Sequence, residues 1–156
     1  MKARWLIIDG NNLVHAHPDL ADLARQDFIR ARGELVRRLD ELVEALAGRI
    51  TVVFDSTKGG RQTGFESSAV EVIFAPPSLT ADSVIERLAL QAPDRETVTV
   101  VSSDHMERDT VEASGVHTLS CRGFVELMSQ TRVELRGRIG QTVRKRSADK
   151  LGDFFP

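Results

Sequence analysis

Three apolar runs of the chain each end in an aspartate: Asp9, Asp55 and Asp104. The runs are continuous and rich in β-branched residues, a pattern typical of strands buried on both faces of a parallel sheet. The carboxyl ends of parallel strands meet at one edge, where open α/β sheets bind their ligands. Two carboxylates about 4 Å apart repel by roughly 4 kcal/mol at an effective dielectric constant near 20. We therefore expect a divalent cation at this edge and a metal-dependent hydrolase of phosphate esters.

A fourth aspartate, Asp82, stands in the first turn of a predicted helix that Thr80 caps. The helix dipole alone would also favour a carboxylate there. Glu86, one turn later on the same face, and Ser103, beside Asp104, are candidates for the outer shell of the site. Magnesium keeps most of its waters and takes one or two carboxylates, so Mg²⁺ or Mn²⁺ is the expected cofactor.

The histidines and the cysteine suggest no other metal site. His15 and His17 have alternate spacing but lie in the expected loop after the first strand, which favours substrate contact or local packing over metal binding. His105 and His117 are interpreted as structural. Cys121 is the single cysteine, so no internal disulfide is possible and a reducing cytoplasm is expected. We interpret it as a small buried side chain.

The composition is that of one globular domain with 156 residues and a net charge of −2. No apolar stretch approaches the roughly 20 residues of a membrane span, and no glycine-rich nucleotide fingerprint is present. Residues 1–131 carry 14 basic and 20 acidic side chains, whereas residues 132–156 carry 7 and 3. A basic tail on an acidic body is typical of a polyanion partner, although a solvated terminus gives the same pattern.

Strands and helices alternate along the chain, which predicts a three-layer α/β/α sandwich with a mainly parallel central sheet. The predicted strands cover about residues 4–9, 50–55, 70–75, 97–102 and 116–119. The predicted helices cover about residues 27–47, 81–91, 105–113 and 123–136. A loop through Pro18 is expected before the first helix, and residues 56–68 are expected to form a mobile loop beside the site. The domain would span residues 1–136, followed by a basic tail over residues 137–156.

The motifs resemble those of a known family. The opening DGNNLVHA, residues 9–16, is similar to the first motif of the YacP-like branch of NYN domains, in the PIN-like nuclease superfamily. The segments VFD (53–55), TADSVIE (80–86) and VSSD (101–104) resemble its later motifs in the same order, through about residue 125. The chain departs from the family where Asn11 replaces a usual aromatic residue, and a long basic C-terminal helix is not evident.

The resemblance implies a PIN-like (NYN) fold and a metal-dependent endoribonuclease that cuts single-stranded RNA, with ribosome-associated mRNA as the expected target. Asp9, Asp55, Asp82 and Asp104 would be the metal ligands, with Asn12 as their polar companion. The best candidates for contacts to RNA phosphates in an otherwise acidic body are Arg30, Arg32, Arg37, Arg38, Lys58 and Arg61.

Two other functions stay open on the sequence. The first is a non-catalytic module that binds RNA or the ribosome through the same fold. The second is a phosphohydrolase of the haloacid-dehalogenase type. That class needs a second aspartate two positions after the first, where this chain has Asn11.

Overall fold

The computed structural model describes residues 3–56, 62, 64–66 and 68–152, with side chains up to Gly140. In this part of the chain five strands form one sheet, in the order β3-β2-β1-β4-β5, and all neighbouring pairs are parallel. The strands are β1 (Ala3–Asp9), β2 (Ala47–Phe54), β3 (Glu71–Phe74), β4 (Val98–Val101) and β5 (His117–Leu119). The central strand β1 therefore ends in the first of the predicted aspartates.

Helices cover both faces of the sheet. They are α1 (Gly10–Ala16), α2 (Pro18–Gln26), α3 (Phe28–Leu46), α4 (Ala81–Gln91), α5 (His105–Glu112) and α6 (Cys121–Gly152). Leu6 and Ile8 of β1 belong to the core shared with α1, α2, α3 and α6, whereas Ile7 packs with α4 and α5. Because successive strand residues point to opposite faces, this division confirms the predicted three-layer architecture.

Side-chain caps begin α3 and α4, and the cap at Thr80 is the one that the sequence predicted. The Asp27 carboxylate caps α3 by accepting a 3.1 Å hydrogen bond from the Arg30 amide. The Thr80 hydroxyl caps α4 by accepting a bond of the same length from the Ser83 amide. These side chains satisfy amides that have no partner inside the helix. The starts of α3 and α4 are therefore fixed locally.

The predicted loop through Pro18 is wrong, because α1 and α2 occupy this segment. The Asp9 carboxylate caps α1 through the Asn12 amide, at 3.1 Å. Pro18 is the first residue of α2, where a missing amide hydrogen costs nothing. The proline thus marks a helix start.

The predicted helix end at residue 136 is also wrong, since α6 continues to Gly152. Gly137 and Gly140 each cost about 1 kcal/mol relative to alanine, too little to end a helix whose Phe124 and Met128 are anchored in the core. The chain therefore has a long C-terminal helix that the sequence did not predict. A separate role for residues 137–156 stays a prediction.

Much of the predicted mobile loop (57–61, 63 and 67) lies outside the described residues. Within the described chain, no helix has the length and apolarity to cross a membrane.

Candidate metal centre

Three carboxylates converge at the carboxyl edge of the sheet. They belong to Asp9 at the end of β1, Asp82 in the first turn of α4 and Glu107 in the first turn of α5. One oxygen of each lies within 4.8 Å of the others, close enough to share one cation. Asp9 and Glu107 are each only 3% exposed, whereas Asp82 is partly exposed. The cluster is thus buried on two sides and open on the side of Asp82.

The surroundings disfavour three negative charges without a cation. Burial raises the pKa of the Asp9 carboxyl to about 7, and the nearby Asp82 adds to the shift against the opposing Asn12 amide bond. Burial likewise raises the pKa of Glu107 to about 9, again with a contribution from Asp82. A divalent cation would offset the repulsion that produces part of these shifts.

Glu107 was not predicted from the sequence. Its Oε2 accepts a 2.8 Å hydrogen bond from the Ser102 hydroxyl, while its buried Oε1 has no hydrogen-bond partner among the described residues. A buried acceptor without a donor is costly, and a cation at the cluster would satisfy it. The residues present therefore fit a hard divalent metal ion with oxygen ligands.

Asp104, predicted as a ligand, does not join this cluster. Its exposed carboxylate caps α5 by accepting hydrogen bonds from the amides of Met106, at 2.9 Å, and Glu107, at 3.4 Å. The spacing of Asp104 and Glu107 is that of a capping box, in which the second residue would turn back to the helix start. Here the cap is made by Asp104 alone, and Glu107 points into the site.

Asp55 lies at the same edge but outside the three-carboxylate group. Its Oδ1 accepts a 2.9 Å hydrogen bond from the Ala81 amide, and its Oδ2 accepts a 3.4 Å bond from the Asn11 side chain. In the structure it therefore connects α1 and α4, and its role as a metal ligand stays a prediction. The two predicted outer-shell residues, half-buried Glu86 and exposed Ser103, are also outside the group.

Asn12 connects the site to β4. Its side-chain amide donates a 3.4 Å hydrogen bond to the Ser102 hydroxyl, which in turn donates to Glu107. The Asp104 amide donates to the same hydroxyl at 3.0 Å. Asn12 thus reaches both Asp9, through its backbone, and Glu107, through Ser102. The buried serine is the one that the prediction passed over in favour of Ser103.

The predicted RNA contacts fall into different environments. Arg30 and Arg37 are exposed on α3, and Arg37 bonds to the carboxylates of Glu34 and Glu41. Arg38 is largely buried and bonds to Glu34 at 3.0 Å. Lys58 and Arg61 lie outside the described residues.

The prediction that Arg32 contacts RNA is wrong, because none of its side chain is exposed. It lies on the apolar face of α3 with Leu35, Val36 and Leu39, so its helical position had indicated burial. A residue in the core does not contact RNA on the surface.

The remaining candidates have no part in the cluster. His15 packs against Phe28 with ring centres 5.8 Å apart, and His17 lies beside Arg38 at 3.3 Å. His105 and His117 are exposed. Cys121 is 1% exposed, and burial raises the pKa of its thiol to about 12, which confirms a packing role.

The parallel sheet with helices on both faces and an acidic cluster at its carboxyl edge is an α/β fold of the PIN-like type. Within this class, the chain belongs to the YacP-like NYN domain family, whose sequence model matches residues 6–153. The match extends beyond residue 125 and includes α6.

Similar proteins come from Bacillus subtilis. The protein YacP of strain 168 is 33% identical over 147 residues, which cover 93% of this chain and 84% of YacP. The crystal structure of Rae1 (YacP) has a TM-score of 0.76 and 29% identity, covering 94% of this chain and 86% of that one. A tryptophan-to-leucine mutant of Rae1 has a TM-score of 0.72 and 28% identity, covering 89% and 82%.

Proposed function

We propose that this protein is a divalent-metal-dependent endoribonuclease that cuts single-stranded RNA. The observation that carries the proposal is the approach of Asp9, Asp82 and Glu107 within 4.8 Å at the carboxyl edge of the sheet. Membership of a nuclease-like family supports the same reaction. Oxygen ligands without cysteine or histidine favour Mg²⁺ or Mn²⁺.

The acidic side chains differ in how they would hold the cation and admit the substrate. Hydrogen bonds hold the two buried carboxylates in place: the Asn12 amide donates to Asp9, and the Ser102 hydroxyl donates to Glu107. Asp82 is partly exposed, so an RNA phosphate would approach from its side. A bound divalent ion would lower the pKa of a water molecule and stabilise charge on the phosphodiester.

The substrate must approach an edge that is acidic. Arg30 is exposed on the first turn of α3 and makes no ion pair among the described residues, so it is the best placed of the helical candidates. Arg37 and Arg38 would first exchange their carboxylate partners for phosphate. Lys58 and Arg61 complete the proposed contacts. We propose mRNA in the cytoplasm, at the ribosome, as the natural substrate.

The decisive experiment measures Mn²⁺ binding and RNA cleavage on the same preparations. The parental protein should bind Mn²⁺ and cut an unstructured RNA, and a chelator should abolish cleavage. Asp82→Asn should lose both properties. Asp19→Asn is the matched control, because Asp19 is also a first-turn aspartate but is exposed on α2. Absence of Mn²⁺ binding by the parental protein would refute the proposal.

The second candidate is a module that binds RNA or a ribosomal partner without cutting. Asp55 favours it, because both of its carboxylate oxygens already accept hydrogen bonds, from Ala81 and Asn11, and Asp55 stands outside the acidic cluster. In that case the parental protein would bind Mn²⁺ and RNA but leave the RNA intact.

A further inference from the structure

Arg32 is the one arginine or lysine that is buried in the described part of the chain. Its guanidinium carbon lies 4.9 Å from the ring centre of Phe28, 5.1 Å from that of Phe54 and 5.6 Å from that of Phe74. Its Nη2 donates a 2.8 Å hydrogen bond to the backbone carbonyl of Asp55. The buried charge is thus directed at the residue that follows β2.

Packing alone does not account for a charge at this position. A buried guanidinium carries a large desolvation cost, and replacing buried ionic groups by apolar residues of similar volume is often neutral or stabilising. The neighbours of Arg32 on α3 are apolar, and aromatic rings surround its guanidinium. An apolar side chain would fill this space but would not donate to the Asp55 carbonyl.

Asp55 in turn connects α4, which carries Asp82, with α1, the helix that Asp9 caps. Its Oδ1 accepts from the amide of Ala81, the residue before Asp82. Its Oδ2 accepts from the side chain of Asn11, in the first turn of the helix that Asp9 caps. The position of the Asp55 main chain therefore determines how far apart the starts of α1 and α4 lie.

We propose that Arg32 is a positioning residue for the acidic site, an inference that rests on the proposed function. Its guanidinium fixes the end of β2, so that Asp55 holds Asp9 and Asp82 at the separation that one shared cation needs. Arg32 contacts neither cation nor RNA and acts through Asp55. Its buried charge, which salt screens little, also offsets part of the repulsion among the carboxylates.

The test begins with the metal-free, full-length protein. Arg32→Met fills the space with an apolar chain and removes both the charge and the donor. Hydrogen exchange at the Ala81 amide, measured by NMR, reports whether Asp55 still holds α4. The Met106 amide, bonded to Asp104, is the internal reference. The matched control variant is Arg25→Met, at an exposed arginine of α2 that is not among the proposed RNA contacts.

We expect exchange at Ala81 to accelerate at least about tenfold in Arg32→Met, with Met106 unchanged and the control variant like the parent. Affinity for Mn²⁺, measured by electron paramagnetic resonance, should fall by about 10- to 100-fold, as when the outer partners of metal ligands are removed. Arg32→Lys keeps the charge but lacks the planar donor, and it should give intermediate values in both measurements.

Parental exchange at Ala81 in Arg32→Met would overturn the inference. So would parental Mn²⁺ affinity despite faster exchange, because the position of Asp55 would then not matter for the site. If Arg32→Met does not fold, Arg32→Lys is judged by the same two outcomes. If the parental protein itself binds no Mn²⁺ and cuts no RNA, the proposed function fails, whereas exchange at Ala81 still decides whether Arg32 positions Asp55.

Discussion

The β1–α1 and β4–α5 corners have the same local design but place their aspartates differently. In both corners an aspartate at or just after the end of a buried strand caps the next helix. Asp9 is the last residue of its strand, paired with Val53 of β2, and it is buried in the cluster. Asp104 stands three residues beyond Val101, the end of β4, and it is exposed. Asp9, which still pairs with the neighbouring strand, is held in the site as well as capping a helix. Asp104, which lies beyond the end of its strand, only caps a helix.

The largest expected effect separates Glu107 from Asp104. Glu107→Gln should abolish RNA cleavage, since it removes a charged ligand oxygen from the cluster. Asp104→Asn should leave the rate close to parental, because asparagine caps helices about as well as aspartate. Initial rates under saturating Mn²⁺ measure both. A larger loss in Asp104→Asn than in Glu107→Gln would reverse the assignment of the two residues.

Asp9→Asn, at the β1–α1 corner, tests whether the buried Asp9 carboxylate is repelled by the other carboxylates of the cluster in the absence of metal. Asparagine keeps the shape and removes one negative charge, so the melting temperature without metal should stay level or rise. The increase in melting temperature on adding Mn²⁺ should disappear, and RNA cleavage should be lost. Thermal unfolding with and without Mn²⁺ provides the measurement, with Asp109→Asn as an exposed control on α5. Parental cleavage by Asp9→Asn would remove Asp9 from the site.

A smaller effect, on stability, comes from the backbone of the first corner. A Cβ added at Gly10 would overlap the ring of Phe54, whereas one added at Gly137 would meet nothing within 4 Å. Gly10→Ala should therefore lower the free energy of unfolding by about 1–3 kcal/mol through overpacking. Gly137→Ala should raise it by up to about 1 kcal/mol, because alanine is the better helix former. Chemical denaturation of both variants measures the contrast. Equal stability of Gly10→Ala and the parent would show that α1 shifts away from Phe54 easily.

The smallest expected effect concerns the loop after β2. Replacing Lys58 and Arg61 by alanine should weaken RNA binding and flatten its salt dependence, by roughly 1.4 in the slope of log K against log salt for two lost phosphate contacts. Arg25→Ala is the comparison, since this exposed arginine of α2 is not among the proposed RNA contacts. Binding titrations at several salt concentrations give the slopes. An unchanged slope in the double variant would place these two side chains away from the RNA.

The sequence predicts the parallel sheet and two of the three clustered carboxylates because those features depend on short-range patterns. Continuous β-branched runs predict buried strands, and Thr80 followed by Asp82 predicts a helix start with its carboxylate at the sheet edge. Both patterns extend over fewer than ten residues, and the structure confirms the strands and the cap.

Glu107 and Arg32 were missed because long-range packing decides their positions. Glu107 has the sequence spacing of a capping residue, and only the Ser102 hydroxyl, buried at the end of β4, turns it inward. Arg32 has the sequence spacing of a core residue, but its type suggests the surface. Three phenylalanines from different elements make its burial tolerable. Neither arrangement is visible in the neighbouring residues of the chain.

The three carboxylates come from the first, the middle and the later part of the chain, and this has a consequence for folding kinetics. The cluster cannot exist until β1 has paired with both β2 and β4, contacts that are distant in sequence and slow to form. A cation that binds the finished site stabilises only the native state. Mn²⁺ should therefore slow unfolding and leave the refolding rate unchanged, in the manner of an interaction that is absent from the transition state. Stopped-flow unfolding and refolding with and without Mn²⁺ would show whether the metal ion lowers the unfolding rate while leaving the refolding rate unchanged.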